Sequence, residues 1–248
     1  MYPAWYINGF LAYSLQALLF WRCYRERLWH AYPLFYTYLS YTTASSVLQG
    51  IPFVFKHPSY PKLFWAGQLF SAVLRFGIAA EVYRHAFPAD SKLRQTGRFV
   101  SGSVLAAMAV LFLLMGEGPA TSSVLDSLRK IALAVAAWVI VVLVVSRYFE
   151  VRLGKNIWGM AIGLLIFMGS ELVHLSAMDL FPRLRVKWGY VHPVMYVCTL
   201  AIWSVAMWSY NPNPRIIPLE ESQHRTFGAA WESRWSTISE VLRRIAKP

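Results

Sequence analysis

The chain has 248 residues, of which 57% are hydrophobic and 15% charged, and its 24 Lys and Arg against 12 Asp and Glu give a net charge of +12. A charged fraction well below the roughly 25% of soluble domains excludes an ordinary water-soluble fold, since lipid tolerates a charge only when it is paired or hydrated. The basic excess lies in loops and the C-terminal tail, where it sets topology and meets the lipid bilayer; a nucleic-acid partner is not expected.

Seven apolar stretches follow in chain order: Trp5–Trp21, Tyr32–Phe55, Leu63–Val82, Phe99–Leu114, Leu128–Val145, Ile157–Ala177 and Trp188–Tyr210. A helix of roughly 20 apolar residues crosses ~30 Å of hydrocarbon. The pattern therefore predicts an all-α membrane protein, a bundle of seven transmembrane helices. The fourth and fifth stretches are short and flanked by Gly116, Gly118, Pro119, Arg129 and Lys130. Trp5, Tyr6, Trp21, Tyr24, Trp29, Tyr32, Tyr60, Trp188, Tyr190, Trp208 and Tyr210 fall at stretch ends, as an interfacial aromatic belt requires. Met1–Trp5 has no basic leader and no small-residue cleavage site, so the first stretch is expected to remain in the mature chain. Cys23 and Cys198 read as free thiols.

Beyond the seventh stretch, Asn211-Pro212-Asn213-Pro214 is expected to end the helix. Residues 211–226 form a polar linker. Within 227–247, Phe227, Trp231, Trp235, Ile238, Val241, Leu242 and Ile245 recur at three- and four-residue steps. This predicts a cytoplasmic amphipathic helix that lies on the membrane surface or docks on a partner.

Orientation follows from the cations. The side holding Arg22, Arg25 and Arg27, then Arg84, Lys92, Arg94 and Arg98, then Arg147, Arg152 and Lys155, and finally the tail is much the richer. The first stretch has no basic residue before it and three just after. The positive-inside rule then places the N-terminus outside and the C-terminus in the cytoplasm. Compact loops and the lack of an N-x-Ser/Thr acceptor point to a multi-pass protein of a bacterial inner membrane.

Polar side chains inside the stretches are expensive and mark candidate function. Tyr38, Thr42, Ser45 and Gln49 share one face of the second stretch, and Gln68, Ser71 and Arg75 share one of the third. The sixth carries Glu171 and His174, and the seventh His192 near its outer end. Alternating topology puts Gln49, Gln68, Glu171, His174 and His192 in the outer half and Arg75 near the middle, with Arg75 and Glu171 as natural charge partners. His174 and His192 lie nine residues either side of Arg183, which gives them similar depth if their helices are adjacent. On the cytoplasmic side, Glu81, Arg84 and His85 read as a local ion-paired cluster.

These features support a non-enzymatic, sensor- or receptor-like protein with an outward-facing polar pocket. Arg75 and Glu171 would anchor a small or lipid-like ligand, and Tyr38, Thr42, Ser45, Gln49, Gln68, His174 and His192 would supply hydrogen bonds. A metal-dependent hydrolase acting on lipid is the alternative, with Glu171, His174 and His192 as weak metal candidates. A third reading is an accessory subunit of a larger membrane complex, its polar stripes serving as inter-helix hydrogen bonds. Haem between the two histidines has little support. Covalent retinal is not expected, because Trp188–Tyr210 holds no lysine. The layout is shared with G-protein-coupled receptors, yet Glu81-Val82-Tyr83-Arg84 and Asn211-Pro212 do not match their motifs.

Overall fold

The computed structural model describes residues 3–54, 60–87, 102, 120–148, 151–180 and 185–211. Among these the chain is all-helical: α1 (Pro3–Glu26), α2 (Leu28–Ala31), α3 (Pro33–Val54), α4 (Tyr60–Ala86), α5 (Ala120–Tyr148), α6 (Lys155–Leu180) and α7 (Arg185–Ala206). Six of the apolar stretches fall on the six long helices, and α2 is a single turn. The fourth stretch, Phe99–Leu114, is outside the described residues, as are nearly all of the 211–226 linker and the whole of the 227–247 segment. Two helical segments, Asp126–Arg147 and Lys155–Ala177, are long and apolar enough to cross a membrane, and Val191–Ala206 is a shorter apolar helix.

The helix ends are fixed by contacts distant in sequence. α1 outruns its apolar stretch and stops at Arg27, whose φ of 51° turns the chain into α2. Pro33 then opens α3, where a missing N–H costs nothing. The next two amides have no intrahelical acceptor, and Glu81 of α4 supplies one: Leu34 and Phe35 donate to its carboxylate at 3.2 and 2.9 Å. This corrects the expectation of a purely local Glu81–Arg84–His85 cluster. Arg84 only approaches Glu81 to 3.9 Å, and the His85 ring lies 3.0 Å from the Ala31 carbonyl. Spacing along one helix shows which residues can meet within it, and says nothing of the neighbouring helix end that a buried carboxylate satisfies.

α7 also ends earlier than expected, at Ala206, before the Asn-Pro repeat is reached. Asn156 at the start of α6 is fully buried, and its amide donates to the carbonyls of Ala206 at 2.7 Å and Ser209 at 2.9 Å. Its Oδ1 accepts from the Asn211 amide. The last carbonyls of a helix lack partners, and one side chain here satisfies that end and turns the chain.

Two antiparallel hairpins form the centre. In one, α3 lies on α4, with Leu34 against Gly77 and the Tyr41 hydroxyl donating to the Gly67 carbonyl at 2.8 Å. In the other, α6 lies on α7, pairing Asn156 with Ala206, Gly163 with Trp203 and Phe167 with Tyr196. α5 packs on α4 and α6, and α1 on α3 and α7. Gln16 meets Tyr196 and Arg22 meets Trp208, so α1 and α7 run parallel. Trp203 sits at the middle, fully buried, with Phe35 edge-on at 5.0 Å and Tyr38 at 6.2 Å.

Gly159 and Gly163, one turn apart on α6, let α7 approach this closely. A Cβ on Gly163 would press into the Trp203 indole, 2.7 Å from Cδ1, and one on Gly159 would collide with Ala206. Gly169 has nothing within 4 Å. Gly163→Ala is therefore expected to destabilise the bundle by about 1–3 kcal/mol through overpacking. Gly169→Ala is expected to be neutral or to stabilise by up to ~1 kcal/mol through helix propensity. Unfolding temperatures of the two variants in the same detergent check the contrast.

Candidate functional site

Arg75 of α4 and Glu171 of α6 form a direct ion pair, with 7% and 6% of their surfaces exposed. The Arg75 guanidinium also lies over the Phe167 ring, 4.8 Å from its centroid. Because Phe167 precedes Glu171 by four residues on α6, one helical face presents both a carboxylate and an aromatic face to the same cation. The Tyr38 hydroxyl lies beside the guanidinium without a hydrogen bond of normal geometry among the described residues.

On the α7 side, the His174 and His192 rings stack, with centroids 5.1 Å apart and planes inclined by 18°. His192 also lies 5.6 Å from Phe167, which in turn meets Tyr196 at 5.5 Å. From Tyr196 the polar contacts pass to α1: Gln16 Nε2 donates to the Tyr196 hydroxyl at 2.8 Å. The Thr43 hydroxyl lies 3.1 Å from Gln16 Oε1 and 2.9 Å from the Leu39 carbonyl, so its one proton is shared between them. A cleft of about 200 Å³ opens against this line, between α1, α3 and α7, walled by Asn8, Tyr13, Gln16, Ser46 and Tyr196. Neither Arg75 nor Glu171 lines it.

The nine residues singled out from sequence divide accordingly. Arg75, Glu171, Tyr38, His174 and His192 come together. Thr42 lies near Tyr196 but donates to its own helix, to the Leu39 carbonyl at 2.9 Å. Ser45, two turns beyond Tyr38, likewise donates to the Thr42 carbonyl at 3.2 Å. Gln68 is half-buried on α4, two turns before Arg75. Gln49 belongs to α3, and its side chain is outside the described residues. Among the described residues, no three of His, Cys, Asp and Glu lie close enough to hold a metal ion together.

Gln16, Thr43, Tyr196 and Asn156 were not among the expected residues. Gln16 was legible: it is the sole amide in the middle of the first stretch, and it is 4% exposed. Asn156 and Thr43 carry no comparable signal, since one sits at a stretch boundary and the other beside a polar stripe rather than on it.

Removing one member of a buried ion pair leaves the other uncompensated, at a cost of about 3–5 kcal/mol, whereas replacing both by apolar residues is often close to neutral. Glu171→Leu is thus expected to lower the unfolding temperature in detergent sharply, and Arg75→Met with Glu171→Leu to restore most of it. Comparison with models of protein families, with curated proteins and with solved structures returned no match, which leaves the geometry of the site as the ground for its function.

Proposed function

We propose that the chain is a multi-span membrane protein of seven-helix type, N-terminus outside and tail in the cytoplasm, that binds a small or lipid-like ligand and is not an enzyme. The binding region is the cleft between α1, α3 and α7. The 227–247 segment would meet the inner membrane surface or a cytoplasmic partner. The observation that carries the reading is the Gln16–Tyr196 hydrogen bond at the wall of that cleft. An amide and a phenol among apolar helices give orientation to a ligand whose bulk is held by apolar contact.

The surface supports the membrane setting. Tyr6, Ile7, Phe10, Leu11 and Tyr13 on α1 are exposed, as are Leu133, Ile140, Val141 and Val144 on α5. Exposed large apolar side chains in such number are unusual for a water-soluble protein. Only 39% and 44% of the two long apolar windows are buried, whereas a core helix of a soluble protein is mostly covered. The parallel course of α1 and α7 is what first and seventh spans of an alternating bundle must have.

The pairing of Arg75 with Glu171 supports a structural role for these charges and a ligand bound away from them. It also weakens the metal-hydrolase reading, because the carboxylate needed for metal or water is committed to a guanidinium.

Two measurements test the proposal. In a Cys23→Ser/Cys198→Ser background, Tyr2→Cys is expected to react with a membrane-impermeant maleimide on intact spheroplasts, and Lys247→Cys only after lysis. The opposite pattern removes the orientation. Protein extracted in mild detergent is expected to carry a bound small molecule or lipid by native mass spectrometry. Gln16→Leu and Tyr196→Phe should each reduce its occupancy several-fold, in line with the loss of one hydrogen bond. Unchanged occupancy in both variants excludes the cleft.

A further inference from the structure

The corner between α1 and α2 borders a second, open groove of about 760 Å³, walled by Phe20, Tyr24, Arg25, Arg27, Trp29 and His30. Arg25, Arg27 and His30 are exposed, and none has a carboxylate within 4 Å among the described residues. Arg25 lies over the Trp21 ring at 5.5 Å. Their neighbour Arg22 differs: it is buried, pairs with Glu26 at 3.4 Å and lies over the Trp208 ring at 5.0 Å. The rings at the corner are open to the surroundings, Tyr24 at 88% and Trp29 at 55% exposure. Arg27 is the single non-glycine residue with a positive φ among those described, at φ 51° and ψ 34°. An arginine rarely adopts this left-handed conformation, and here it sets two cations and two rings around one opening.

We propose that this groove binds the phosphate-bearing headgroup of an anionic phospholipid. Arg25 and Arg27 meet the phosphate, His30 adds a ring N–H donor, and Tyr24, Trp29 and Phe20 cover the glycerol and upper acyl region. Charge complementarity selects the anion. Composition selects a lipid over a free phosphate: exposed Tyr and Trp rings favour the zone where headgroup meets hydrocarbon. Basic recesses on the cytoplasmic side of membrane helices are suited to such headgroups. The inference rests on the membrane setting and orientation proposed above, and not on the cleft at Gln16 and Tyr196.

The test uses the full chain in mild detergent, titrated with phosphatidylglycerol, phosphatidylcholine or glycerol phosphate and read by native mass spectrometry and thermal shift. Phosphatidylglycerol is expected to bind and raise the unfolding temperature, with phosphatidylcholine and glycerol phosphate much weaker. Arg25→Gln/Arg27→Gln should weaken phosphatidylglycerol roughly 25-fold, about fivefold for each cation near the surface. Arg147→Gln/Arg152→Gln removes the same charge elsewhere and should leave binding unchanged. Arg27→Gly keeps the backbone turn without strain, so it should fold at least as well as the parent yet bind about fivefold more weakly. Equal loss in both double variants would reduce the effect to net charge and overturn the site, as would glycerol phosphate competing on equal terms. A chain that stays monodisperse in water without detergent overturns the membrane reading itself, whereas a detergent-requiring chain that binds both lipids alike overturns this site alone.

Discussion

The ion pair between Arg75 and Glu171 is the constraint on which the rest of the bundle depends. Two full charges set among apolar helices are tolerable only in contact, because the desolvation of each costs several kcal/mol and their attraction offsets it only at short range. The contact fixes the depth of α4 against α6. Since α4 is bound to α3 and α6 to α7, it locks one antiparallel hairpin onto the other. Phe167 and Tyr38 then close around the guanidinium, and Trp203 fills the space between the hairpins.

The same logic separates the polar groups that hold the fold from those able to meet a ligand. Glu81 is consumed by two amides at the start of α3, Asn156 by the end of α7, and Glu171 by Arg75. Each is buried and each joins segments about 50 or more residues apart, which is what structural groups in a low-dielectric interior do. Gln16 and Tyr196 are joined in the same way, but their bond borders an open cleft. A buried group with all its partners inside the chain specifies the fold. One with a partner inside and a cleft beside it has capacity to spare.

The sequence made the helices legible, because length and apolarity are local properties, and six of its stretches lie on long helices. It also made Arg75 and Glu171 legible as partners, since two opposite charges in apolar surroundings have few other solutions. Equal spacing about Arg183 placed His174 and His192 at one level, and their rings do stack. What it could not convey was which end of which helix a side chain would satisfy. Glu81 looked local because Arg84 and His85 lie within one turn of it, yet its partners are 46 and 47 residues away. Gln16 was legible as a lone amide in an apolar stretch, yet it was passed over because it forms no stripe, its partners Tyr196 and Thr43 lying 180 and 27 residues away. The end of α7 was misplaced for a related reason: the prolines after Tyr210 were visible, whereas the Asn156 side chain acts four residues earlier, through space.

Placing these helices in lipid also changes which contacts carry their stability. In water, the exposed Phe10 on α1 and the Leu133, Ile140, Val141 and Val144 face on α5 would favour burial by about 25 cal/mol per Å². In hydrocarbon that gain disappears, because lipid chains are as apolar as the residues themselves. Association must then come from close packing and from polar groups with no alternative partner. Both are concentrated on α6: Gly159 and Gly163 admit α7 to direct contact, Asn156 caps it, and Glu171 holds α4. α6 is thus the helix against which the others are placed, while α1, exposed on its aromatic side, is held by Leu19 and Cys23 in the core as well as by the polar contacts of Gln16 and Arg22. Both clefts border α1, on the side where its aromatic residues leave the packed interior for the surroundings.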